Sequence, residues 1–144
     1  MNANVKRVHA IWLQGENHLK EKFPQLASFV QTWRDTFPTW TTKVWAEPDF
    51  LPLLTASERE AYKKLPSAAM KADMARYIIV HVHGGMYVDT DLECLRDFRW
   101  MLEHMPPHVL AVAFDHSVPA WLTAVMHKSN NMWFYAARPQ HPAL

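Results

Sequence analysis

From Ser67 to Val82 apolar residues recur at helical spacing, with Met70, Met74 and Ile78 on one stripe. Asp73 and Arg76, three apart, project from a common side of the same helix. Ser67 is placed to cap its N-terminus. Gly84-Gly85 ends it, because glycine enters the left-handed, tightly bent conformations of a helix stop without steric cost. Met86-Tyr87-Val88 then reads as a strand that runs straight into Asp89-Thr90-Asp91.

The rest of the chain alternates strand and helix patterns. Val8 to Leu13 is a buried first strand closed by Gln14-Gly15, with Trp12 at its exit. Pro24 opens a helix through about Thr36, with Leu26, Phe29, Val30 and Trp33 on one stripe. Thr41 to Trp45 is a second strand, and Glu47-Pro48-Asp49 the loop after it. Ala56 to Leu65 is a charged amphipathic helix. Beyond the acidic pair, Leu92 to Leu95 reads as a short strand holding Cys94, and Phe98 to His104 as a helical turn broken by Pro106-Pro107. Val109 to Phe114 and Met132 to Ala137 are further strands, the latter preceded by Ser129-Asn130-Asn131. This order predicts one α/β domain over residues 1–144 with a largely parallel sheet, whose ligands gather beyond the strands' carboxyl ends. After Arg138, a proline opens what looks like a new helix just before Leu144, so the expectation is of a chain truncated at its C-terminus.

Composition narrows the partners. The 144 residues are 49% hydrophobic and carry a net charge of +1, enough for a real core and without the basic footprint of a nucleic-acid binder. The apolar run near the N-terminus is too short for a signal-peptide core or a membrane span, which predicts a soluble, cytoplasmic chain. A single cysteine, Cys94, excludes an intrachain disulfide and a zinc-thiolate cluster. His81 and His83 sit two apart on a helix end and do not share a face, which argues against a histidine metal site.

The candidate chemistry lies in the acidic pair. On a continuing strand Asp89 and Asp91 would point to one face, and two such charges side by side need a cation or a shared proton for relief. At a strand end open to solvent, a hard divalent ion with oxygen ligands supplies it. A diphosphate would hold that ion from the other side. Taken singly, each signal has a plain alternative: a surface ion pair for Asp73 and Arg76 worth about 0.2 to 0.5 kcal/mol, a solvated turn for the acidic pair, and ordinary core for Trp12, Trp33, Trp40 and Trp45.

Taken together, Ala72-Asp73-Met74-Ala75-Arg76-Tyr77 followed by Gly84-Gly85-Met86-Tyr87-Val88-Asp89-Thr90-Asp91 resembles the DXD-containing sugar-binding region of glycosyltransferase family 32. The first strand, the Trp40-to-Trp45 segment and Asn130-Asn131 through His141-Pro142 also fall where that family has similar signatures. The resemblance implies a GT-A fold, a Rossmann-like α/β/α sandwich. It implies a hexosyltransferase that retains anomeric configuration, uses Mn²⁺ or Mg²⁺, takes a UDP- or GDP-sugar donor and serves a glycan or glycolipid acceptor, as in polysaccharide biosynthesis. It would set Trp12 against the nucleobase, Asp73 and Arg76 on donor-sugar hydroxyls, Tyr87 near that sugar, Asp89 on ribose and metal, and Asp91 on the metal. Catalytic work would fall to Asp73, Arg76 and Tyr87. Family members often have Ser where Ala72 stands, which removes that hydroxyl's contact.

Two rivals come from other classes. A magnesium-dependent phosphatase of the haloacid dehalogenase type also uses Asp-x-Asp at a strand end, but on its first strand and with Thr or Val where this chain has Glu93. A fragment that binds a nucleotide-sugar without transferring it is the other.

Overall fold

Alternating side chains along five short strands feed two separate cores, one on each face of a single sheet. The computed structural model describes residues 4–114 and 132–144. The strands are β1 (Arg7–Ile11), β2 (Thr41–Trp45), β3 (Gly85–Val88), β4 (Leu110–Phe114) and β5 (Met132–Ala136), in the order β2-β1-β3-β5-β4. β1 pairs in parallel with β2 and β3, while β5 is antiparallel to both β3 and β4. The sheet is therefore mostly parallel in sense, with β5 alone reversed.

On one face Val8, Ala10, Val44, Met86, Val88 and Tyr135 meet α1 (Glu16–Lys22), α2 (Pro24–Thr36) and α6 (Arg99–Glu103) through Leu19, Val30, Trp33 and Leu102. On the other Ile11, Trp45, Tyr87, Phe134 and Ala136 meet α3 (Glu47–Phe50), α4 (Ala56–Lys63) and α5 (Ala68–His83). Period-two alternation on the strands thus produces a three-layer α/β/α arrangement. Trp33, Trp40 and Trp45 are buried core residues, as the sequence suggests.

The ends of α5 follow from its sequence. The Ser67 hydroxyl accepts from the Met70 amide at 3.2 Å, and Gly84 and Gly85 close the helix with φ of 65° and 92°. Its buried residues are Ala75, Ile79 and Val80; Met70 on the expected apolar stripe is exposed.

Several expectations are corrected. Residues 47–49 are not a loop: they open α3, with Pro48 in its first turn, and the Asp49 carboxylate reaches back to the Ala46 amide at 2.9 Å. α1 escapes the periodicity because it buries only Leu19; Glu16 pairs with Lys20 within the helix and ties α1 to α2 through Arg34. Leu92 to Leu95 forms no strand; its backbone turns to side chains of α2, and Cys94 is buried there as a loop residue. Pro142 opens no helix: residues 137–144 form turns, with the Gln140 amide bonded to the His81 carbonyl, His141 buried, and Leu144 packed on the α5 side. The Ser129-Asn130-Asn131 segment lies outside the described residues. No helix among the described residues is long and apolar enough to cross a membrane.

Candidate functional site

A cavity of about 510 Å³ opens where β1 and β3 end and α5 begins. The exit of β1 contributes Ile11, Trp12, Leu13 and Gln14, and α2 contributes Leu26. The first turns of α5 supply Ala68, Ala69, Ala72, Asp73 and Arg76, and the end of β3 supplies Tyr87, Asp89, Thr90 and Asp91. All six residues singled out in the sequence, Trp12, Asp73, Arg76, Tyr87, Asp89 and Asp91, line this one space.

Arg76 organises the polar wall. Its guanidinium pairs with Asp73 one helical turn earlier and, across the cavity, lies 3.4 Å from Asp89 Oδ1. It also sits over the Tyr87 ring, 4.8 Å from the centroid. The Arg76 side chain is 11% exposed and that of Asp73 60%, so this is no ordinary surface pair. Arg76 Nε is buried and has no hydrogen-bond partner among the described residues. The exposed Asp73 carboxylate is the acceptor this wall presents, with the Arg76 guanidinium fixed beside it.

Tyr87 donates its hydroxyl to Asp89 Oδ1 at 2.8 Å. Burial, and then the charge of Asp89, hold its phenol well above the ordinary tyrosine range, so it remains a neutral donor. Its hydroxyl is therefore committed to aiming Asp89.

The acidic pair does not continue the strand. β3 stops at Val88, and the Leu92 amide closes a turn on the Asp89 carbonyl at 3.1 Å. Strand geometry thus does not place the two carboxylates, although both line the cavity. Burial raises the pKa of the Asp91 carboxyl, and the neighbouring charge of Asp89 raises it further. This mutual repulsion is what a divalent cation would relieve.

Among the described residues no three or more metal-ligating side chains converge. Two carboxylates fit a hard ion that takes its other oxygens from phosphates and water.

Trp12 is half-buried, packed against the core at the cavity's edge. Its indole N–H donates to His18 Nδ1 at 3.0 Å, and Phe23 meets it edge-on at 5.1 Å. The ring's orientation is thereby set from α1, an element the hydrophobic pattern did not reveal.

Residues 24–111 match the family described as the glycosyltransferase sugar-binding region containing DXD motif. This chain belongs to that family. Asp89-Thr90-Asp91, Asp73, Arg76 and Tyr87 of this family member fall inside the match, and Trp12 precedes it. It is similar to the putative glycosyltransferase HOC1 of Saccharomyces cerevisiae, 32% identical over 59% of this chain and 23% of that protein. An uncharacterised glycosyltransferase of Acanthamoeba polyphaga mimivirus is 32% identical over 62% of this chain and 36% of its own length. The initiation-specific alpha-1,6-mannosyltransferase of Schizosaccharomyces pombe is 23% identical over 83% of this chain and 34% of its own. The chain thus spans well under half the length of these relatives. No solved structure matches it.

Proposed function

We propose that this chain binds a UDP- or GDP-sugar through a divalent cation, Mn²⁺ or Mg²⁺, and transfers the hexose to a glycan or glycolipid acceptor with retention of configuration. One observation carries the reading: Arg76, Asp73, Tyr87 and the acidic turn, drawn from two elements, meet in a single cavity beyond the carboxyl ends of β1 and β3. The three-layer arrangement and this placement support a GT-A-like domain formed by residues 1–144.

Asp91 and Asp89 would hold the cation, which when bound stabilises charge growing on the departing diphosphate. Asp73, exposed, accepts from sugar hydroxyls, and Arg76 donates to them from a position fixed by its pair with Asp89. Tyr87 keeps the Asp89 carboxylate aimed. Trp12 offers the apolar face of its ring to the base.

A second reading, donor binding without transfer, draws support from the chain spanning only 23 to 36% of the relatives it matches. Calorimetry with a panel of UDP- and GDP-sugars, with and without Mn²⁺, tests the shared claim. Metal-dependent uptake of one class of donor is expected, and slow metal-dependent hydrolysis of that donor selects the enzyme over the binding module. Uptake of none of them refutes both readings.

A further inference from the structure

Among the described residues the chain that follows the acidic turn pairs with no strand, yet two of its peptide groups are held by neighbouring side chains of one helix. Trp33 Nε1 donates to the Leu92 carbonyl at 2.9 Å. The Thr32 hydroxyl accepts from the Cys94 amide at 2.8 Å. That hydroxyl donates its own proton to the Phe29 carbonyl at 2.6 Å, which fixes its rotamer and turns a lone pair to Cys94. Leu92 is held at both of its backbone groups, since its amide closes the turn on Asp89.

Core packing alone does not ask for these residue types. A phenylalanine would fill most of the space of Trp33, and a valine the space of Thr32. What those replacements lack is a donor for the Leu92 carbonyl and an acceptor for the Cys94 amide, groups with no ladder to satisfy them. α2 also places Leu26 in the cavity wall, so one helix sets both a wall of the site and the path of the chain leaving it.

We propose that Thr32 and Trp33 are positioning residues for Asp91, holding the chain after the acidic turn so that its carboxylate stays turned into the cavity. The inference rests on the reading that Asp89 and Asp91 share a cation with a diphosphate. A ligand set of two carboxylates tolerates little displacement, because a shift of about 1 Å in a supporting shell is enough to spoil a site. Neither residue touches the ligand; each acts through the backbone of residues 92–94.

The test compares Thr32→Val, Thr32→Ser, Trp33→Phe and a control, Val30→Ala, which lies on the same helix, buried in the same core, and has no side-chain hydrogen bond to offer the chain after the turn. Two quantities are read: amide hydrogen exchange at Leu92 and Cys94 under native conditions, and affinity for Mn²⁺ with UDP. Thr32→Val and Trp33→Phe are expected to speed that exchange about three- to tenfold, the range one net hydrogen bond supplies, and to weaken Mn²⁺–UDP binding by a similar factor. Thr32→Ser restores both, and Val30→Ala lowers the melting temperature while leaving both unchanged. Unaltered exchange in Thr32→Val, or an equal loss of affinity in Val30→Ala, overturns the proposal. A wild-type chain that takes up neither Mn²⁺ nor UDP refutes the proposed function, and the exchange arm still decides whether α2 holds the turn.

Discussion

Arg76 is the residue whose meaning changes most between sequence and fold. Spacing of three from Asp73 reads as a helix-surface pair, but β3 brings Asp89 and the Tyr87 ring against the same guanidinium and buries it. Helical spacing sees partners on one element only, so a bond from α5 to the end of β3 was not legible. Tyr87 has the same history: its proximity to Asp89 is readable, and the direction of its hydroxyl is not. A hydrogen bond to a charged group contributes roughly 1.5 to 3 kcal/mol. Tyr87→Phe is therefore expected to lower unfolding free energy in urea by about that amount near neutral pH and to weaken Mn²⁺ binding. A variant as stable as wild type would show the Tyr87–Asp89 bond to be of no consequence. Asp73→Asn should leave stability within about 0.5 kcal/mol, because its carboxylate is exposed and the buried Arg76 keeps Asp89 as a partner, while donor affinity falls; unchanged donor affinity would remove Asp73 from the site.

At the scale of elements, the turn between α5 and β3 decides where Asp89 lies relative to Arg76. A Cβ on Gly85, at φ 92°, would come within 2.8 Å of the Arg7 carbonyl oxygen and 3.2 Å of His9 Nε2. Gly85→Ala is expected to cost about 1 to 3 kcal/mol, read as a lowered urea midpoint; a midpoint equal to wild type would contradict the packing described. His9 supports the turn from β1. Trp45 Nε1 donates to its Nδ1 at 3.1 Å, which leaves the proton on Nε2 to be donated to the Gly84 carbonyl at 2.8 Å. Burial lowers the His9 pKa from 6.5 to about 4; the hydrogen bond to Gly84 opposes the fall, and His83, Arg7 and Lys43 add to it. The folded state therefore favours neutral His9, so its contribution is whole above pH 6.5 and drains away as pH falls towards 4. His9→Gln, which keeps a donor and an acceptor, should flatten the fall in stability over that window by roughly 2 to 3 kcal/mol. An identical pH profile for the two proteins would show that His9 is not the titrating group. The glycine pair was legible as a helix stop because its conformational need is local. The buried histidine was not, since only the packing of β1 against the turn makes it polar core.

For the whole molecule, an α/β domain with a largely parallel sheet was legible because apolar strand runs and helix periodicity agree on it, whereas the three-layer sandwich was implied only by the family resemblance; Trp33, Trp40 and Trp45 fall inside as expected. What periodicity lost were the pieces held by side chains: α1 with its single buried leucine, α3 with its reaching aspartate, and the loop after Asp91. These are also the pieces that orient Trp12 and frame the acidic turn, so the residues of the candidate site were readable while their supports were not. The most direct test of the account is a calorimetric titration of Mn²⁺ with UDP or GDP into wild type and Asp91→Asn, with folding of both checked by circular dichroism. Metal-dependent nucleotide uptake in the wild type that vanishes in Asp91→Asn is the predicted result, and an unchanged affinity in the mutant would contradict it.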